Sequence, residues 1–309
     1  MTTTLRSQVG SALLMLLFLI VGIGTTLLLS SLSPGQQQRE QNSRTQAALR
    51  QAKEALIAWS VTHKSIPGRL PCPEDITTIG TPTEGKALSN CTSPSILIGR
   101  IAWRDLGLSE PRDGTGEQLW YVLSPGFRST PPVGSAGVAN GQLQLDGTYN
   151  GIAALIIAPG TPLPGQTRTP PSIASPPASV NYLDLGNATG PAFVNNGPAA
   201  TFNDQVITIT TQELLQALSS RVLAEIRGAF DVQNGLRRYY NDNGSFPPAG
   251  TPLDNLNFDN TTRSWLAPTA NPGLWFSLVG YTTPSPTTAQ LTLGTLTLKV
   301  IPCTAAPCP

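Results

Sequence analysis

Four cysteines, Cys72, Cys91, Cys303 and Cys308, and a single histidine, His63, are the obvious reactive groups of this 309-residue chain. No two cysteines are spaced as Cys-x-x-Cys, and one histidine beside them does not make a zinc-ligand set. The chemistry open to them is disulfide formation. Four cysteines permit three connectivities. Pairing between sequence neighbours, Cys72 with Cys91 and Cys303 with Cys308, is preferred, with free buried thiols as the alternative. The first bridge would close a loop of about 20 residues, worth about 3 kcal/mol in chain entropy; the second would tie down the C-terminal tail. Either requires an oxidising compartment such as the periplasm.

Signals for catalysis are sparse. His63 falls on the apolar stripe of a helix, where a packing histidine is a simpler reading than a general base. There is no Gly-x-Ser-x-Gly elbow and no glycine-rich phosphate loop opening a helix. Asp75, Asp105, Asp113 and Asp231 could be gathered by folding, but no spacing marks two of them as an acid–base pair. Trp103, Trp120, Trp265 and Trp275 read as core or rim residues, with a sugar-binding platform as the weaker alternative. The expectation is a protein that is not an enzyme and needs no cofactor.

Composition narrows the class further. The net charge is +1, with 12% charged residues. That is about half the usual charged share, and it excludes a nucleic-acid binder that works through a basic footprint. Glycine and proline number 29 each, which suits an exported protein with a neutral polar surface and many turns.

The elements follow from periodicity. Residues 11–32, SALLMLLFLIVGIGTTLLLSSL, lie in a stretch without formal charge between Arg6 and Arg39. About 20 apolar residues suffice to span a bilayer as a helix. After Pro34 and Gly35 the helical pattern resumes at Gln36. Leu49, Ala52, Leu56, Trp59 and His63 recur at three- and four-residue steps. If continuous, 11–64 would be a helix of about 80 Å, stopped by Pro67 and Gly68. Strands are predicted over 96–103, 118–123, 142–145, 152–158, 206–210, 274–281 and 290–301. A Pro/Gly-rich stretch, 159–177, reads as an exposed loop or linker. Thr210 and Glu213 have capping-box spacing, and Leu214, Leu218, Val222, Ile226 and Phe230 extend an amphipathic helix to near Tyr240.

The start of the chain resembles the type IV prepilins: a short basic-polar leader, then Gly10, then an unbroken apolar run from Ser11. The resemblance implies a prepilin peptidase that cuts after Gly10 at the cytoplasmic face and methylates Ser11. The apolar segment would then stay in the inner membrane until the subunit joins other pilin or pseudopilin subunits. Met15 stands where most pilins carry a glutamate that partners a neighbour's N-terminal amine. Tip-located pseudopilins and some minor pilins lack that glutamate, so the resemblance points to minor-pilin or pseudopilin character. Residues 55–73, ALIAWSVTHKSIPGRLPCP, resemble the helix-to-proline transition of pseudopilin-like proteins. Residues 113–126, DGTGEQLWYVLSPG, resemble their Asp-x-Trp-Gly turn and strand, with Thr115 in place of the tryptophan. The nearby loop can bind calcium in that family. Here Asp113 and Glu117 are the only acids of the piece, so a turn is favoured over a metal ligand.

The expected fold is α+β. A long N-terminal transmembrane and spine helix packs on an antiparallel β-sheet head, followed by a second amphipathic helix and a second small sheet. Tandem pilin-like modules and a single α+β domain are both open. The expected organisation is a leader at 1–10, the transmembrane and spine helix at 11–64, a first β-rich region at 65–160, a loop or linker at 161–205, and a helix plus β region at 206–309. The expected function is a structural subunit of a pilus or type II secretion-like filament, held in the inner membrane with its C-terminal part in the periplasm. The alternatives are a membrane-anchored periplasmic binding or adhesion protein that does not polymerise, and a secreted hydrolase.

Overall fold

The computed structural model describes residues 34–64, 67–91, 96–128, 143–197, 200–228, 235–253, 265–266 and 275–303. Helix α1, Pro34–Thr62, opens on a proline, tolerated there because the first helical N–H has no intrahelical acceptor. Its second half is amphipathic. Thr45, Leu49, Ala52, Leu56 and Ser60 are buried on one face, at the steps that line up on a helix of 3.6 residues per turn. Its first half is different: residues 35–40 and 42–44 are exposed, and their glutamine, arginine, glutamate and asparagine side chains leave no apolar stripe.

This overturns the expected fold at its first element. The first described helix is not a long apolar span, and among the described residues no helix is long and apolar enough to cross a membrane. Arg39, Glu40 and Arg44 lie within the first three turns of α1, where lipid would impose a large cost on charge. The apolar run 11–32, with Gly10, Ser11 and Met15, lies outside the described residues.

A six-stranded sheet is built from β1 (Leu97–Arg100), β2 (Trp120–Leu123), β3 (Leu143–Leu145), β4 (Thr148–Ala158), β5 (Ala192–Phe193) and β6 (Gln205–Thr210). The order is β1-β2-β4-β3-β5, with β6 also paired to β4. The expected all-antiparallel head is corrected here too, because β5 runs parallel to β3. Strand β4 organises the sheet. Ala153 to Ala158 are each at most 1% exposed, the continuous apolar pattern of a strand covered on both faces. On one face Tyr121, Ala154 and Ile156 pack against Leu49, Ala52 and Leu56 of α1. On the other, Trp120, Val122, Leu155 and Ile157 meet Tyr182, Leu183 and Phe193. The Pro/Gly-rich stretch is irregular, as its composition indicates, and the chain that continues from it covers the second face of the sheet.

The capping box at Thr210 and Glu213 is present at the start of α2, Thr211–Arg227. The helix stops at Gly228, φ 77°, a conformation that favours glycine. The apolar pattern read as one helix to Tyr240 is therefore divided, and α3 occupies Gly235–Asn243. Leu218, Val222 and Ile226 of α2 pack on Ala289, Leu291 and Val300 of a three-stranded antiparallel sheet, β7 (Gly280–Ser285), β8 (Thr288–Leu293) and β9 (Leu296–Val300). The sequence pattern over 290–301 suggested one strand. It forms most of a hairpin instead, turning at Gly294, φ 59°. Residues 276–278 form a short 3-10 turn where the pattern suggested strand.

Polar contacts join α2 to α1 in addition to the apolar core. Lys53 Nζ lies 2.5 Å from Glu213 Oε1. Arg221 donates to the carbonyls of Val61 and, at 2.9 Å, His63, serving groups left without helical N–H partners at the end of α1.

Cys72 and Cys91 form a disulfide with Cα atoms 6.1 Å apart. Both are buried in the core between α1 and the sheet. Cys303 is disulfide-bonded as well, and Cys308 lies outside the described residues. Replacing Cys72 and Cys91 by serine is expected to lower the unfolding free energy by about 3 kcal/mol, the chain-entropy value for a loop of this length. Chemical denaturation of the double variant checks this, and a loss below about 1 kcal/mol would contradict it.

Candidate functional site

Asp113 and Glu117, the two acids noted in the sequence, are brought together in one tight turn. Asp113 Oδ1 accepts hydrogen bonds from Thr115 N, Thr115 Oγ1 and Glu117 N at 2.8, 2.6 and 3.0 Å. Its Oδ2 accepts from Gly160 N at 2.9 Å. With both oxygens engaged, Asp113 is a turn-forming residue that ties the turn to the end of β4. The turn also rests on α1. Gly114 N donates to Thr45 Oγ1 at 2.9 Å, and a Cβ at Gly114 would overlap the Gln41 carbonyl, so the close approach requires glycine. Among the described residues there is no group of three or more His, Cys, Asp or Glu able to hold a metal ion.

The Glu117 carboxylate pairs with Arg168, at 3.2 Å. Arg168 was not singled out in the sequence, yet its side chain, 6% exposed, organises the cover of the second sheet face. It donates to the carbonyls of Gly160, Asn181 and Tyr182 at 2.6, 3.1 and 3.1 Å and to Gln166 Oε1 at 2.8 Å. It also lies 5.1 Å from the centroid of the Tyr182 ring. No periodic pattern could have marked it, since its partners are mostly backbone carbonyls of an irregular segment.

A second clasp lies behind it. Asp184 Oδ2 accepts from Asn203 N and Asp204 N at 2.7 and 3.2 Å. Asp204 Oδ2 accepts from Asp184 N and Asn187 Nδ2, both at 2.9 Å. The other oxygen of Asp204 is buried with no hydrogen-bond partner. Burial pushes the Asp204 carboxyl up to about 7, opposed by the hydrogen bonds from Asp184 and Asn187 and reinforced by the nearby Asp184 charge. Both aspartates are at least 96% buried, so the pair holds two chain segments together and is closed to substrate.

Between this cover and the loops beside β1 and β2 opens a cleft of about 340 Å³. Arg100 forms part of its lining. Its side chain, 5% exposed, lies 2.7 Å from Glu74 and 3.6 Å from Glu84 and donates to Gln118 Oε1. Burial raises the Glu74 carboxyl, with Arg100 and the Gly85 N–H opposing the shift. Glu84, Glu110 and Glu117 line the cleft together with Trp103, Trp120 and Tyr182. Of the tryptophans noted in the sequence, Trp120, Trp265 and Trp275 are at most 3% exposed. Trp103 is half-buried. His63 stacks on Trp59, with ring centroids 4.9 Å apart, and its pKa is lowered by burial first, then by Arg69 and Arg221. That is a packing role at the end of α1.

No protein-family model matches the chain, and no curated protein or solved structure matches it.

Proposed function

We propose that the protein is a pilin-like subunit of minor-pilin or pseudopilin character, anchored in the inner membrane and carrying residues 34 onward on the periplasmic side. The observation that carries the reading is the junction at Gly10 and Ser11, followed by an uncharged apolar run to residue 32. On this reading a prepilin peptidase removes 1–10, and the apolar segment holds the subunit in the membrane until assembly. The disulfide between Cys72 and Cys91 supports an oxidising compartment. The proposal does not require one unbroken spine, since α1 brings a polar first half directly after the apolar run. That half, exposed over 35–40 and 42–44, offers polar contacts to neighbouring subunits. Without the glutamate that Met15 replaces, subunit registration falls to these contacts and to the folded part.

The test is Gly10→Ala, followed by fractionation and mass spectrometry of the N-terminus. The unaltered chain should begin at a methylated Ser11, while the variant should keep its leader and stay in the inner membrane. An unaltered chain with an intact Met1 in the membrane would favour a non-polymerising anchored binding protein. A water-soluble product beginning after residue 32 would favour a secreted protein.

A further inference from the structure

The lining of the cleft is specific enough to name a ligand class. We infer that it binds a neutral oligosaccharide. At about 340 Å³ it falls within the size range of small-molecule sites. Its charges are largely paired: Arg100 lies between Glu74 and Glu84, Glu110 pairs with Arg112 at 2.8 Å, and Glu117 with Arg168. A ligand of either charge would bring a like charge against one member of each pair. A polyhydroxylated neutral ligand meets both members, its hydroxyls donating to the carboxylates and accepting from Arg112 and Arg100. Ile79, Trp103, Pro171 and Tyr182 add apolar surface to the lining, which suits the C–H faces of sugar rings.

The inference does not depend on the pilin reading, because the cleft is formed by described residues far along the chain from the processing junction.

The experiment uses the full-length chain in a detergent without a sugar headgroup, applied to an array of neutral and charged oligosaccharides. Hits are then titrated by tryptophan fluorescence and calorimetry. Saturable binding of a neutral oligosaccharide is expected, with Kd below about 1 mM. Glu110→Gln with Arg112→Gln should weaken it by about tenfold or more, the scale of lost hydrogen bonds to charged groups. These side chains form a partly exposed pair, so the variant should melt close to the unaltered protein. Absence of any neutral hit, binding confined to charged glycans, or unchanged affinity in the double variant would each overturn the assignment. Processing after Gly10 is read separately, so failure of one result leaves the other intact.

Discussion

Arg168→Ala is expected to lower the unfolding free energy by about 3 kcal/mol, the upper end of the cost of leaving buried acceptors without a donor. The guanidinium serves four backbone carbonyls and Gln166 besides Glu117. Its loss leaves those acceptors without a donor in a site that water does not easily reach. Arg168→Lys should recover little of this, because one ammonium cannot reproduce the planar fork that reaches acceptors on opposite sides. Urea unfolding measures the loss, and limited proteolysis locates it: cleavage should appear within 161–204, where the cover leaves the sheet. A loss below about 1 kcal/mol with unchanged proteolysis would show that the cover is held by Tyr182, Leu183 and Phe193 alone.

The second large effect is pH-dependent and belongs to Asp204. Its folded-state carboxyl titrates at about 7 against an ordinary value of 3.8. Below pH 4 both folded and unfolded chains hold the proton. Between those values only the folded chain does, so this residue's contribution to stability is full at low pH and is lost as pH rises through about 7. At 1.36 kcal/mol per pKa unit the total loss is on the order of 4 kcal/mol. The groups that face it are Asp184, whose N–H opposes the shift and whose charge adds to it, and Asn187 and Arg168, which oppose it. Asp204→Asn removes the titration while keeping an oxygen for Asp184 N and Asn187. The unfolding free energy of the variant relative to the unaltered protein should therefore climb from about pH 4 and level off above about pH 7. Parallel stability curves over that range would refute the claim. Glu213 moves in the opposite sense. Its carboxyl is held below the usual value by Lys53 and Thr210 against the opposing effect of burial, so its stabilisation is present above pH 4.5 and lost as pH falls through the lowered folded-state value. Comparing the Asp204→Asn variant with the unaltered protein separates the two, because the substitution changes only one of them.

Much of the local structure was legible because it depends on neighbouring residues. The capping box needs only Thr210 and Glu213, three positions apart. The apolar alternation over 206–210 and the run around Leu155 and Ile156 mark strands whatever they pair with. Where the chain departs from its side-chain periodicity, one glycine is enough to redirect it. Gly228 and Gly294 both adopt positive φ; the first ends a helix whose apolar pattern continues past it, and the second folds an apparent strand into a hairpin. Asp146 and Gly147, both at positive φ between β3 and β4, are a hairpin signal that the sequence does carry.

The functional surface was less legible. The turn at Asp113 could be read from its own residues. The ion pairs at Glu117 and Arg168 and at Arg100 and Glu84 could not, since they join residues 51 and 16 positions apart. The clasp of Asp184 and Asp204 hides in a segment whose composition indicates only loop. Backbone carbonyls and N–H groups carry most of its bonds, and these are the same for every residue type.

By itself, then, the sequence determined the short-range features: the apolar run after Gly10, the amphipathic second half of α1, the cap of α2, the central strands and a cysteine spacing that allows a disulfide. These rest on periodicity and on contacts within a few residues. Tertiary structure alone decided that a proline- and glycine-rich stretch leads into the cover of one face of the sheet, that β5 joins β3 in parallel, and that Glu84 meets Arg100 and Glu117 meets Arg168 around one cleft. Those outcomes depend on which distant segments desolvate one another, and no local pattern of side chains records that.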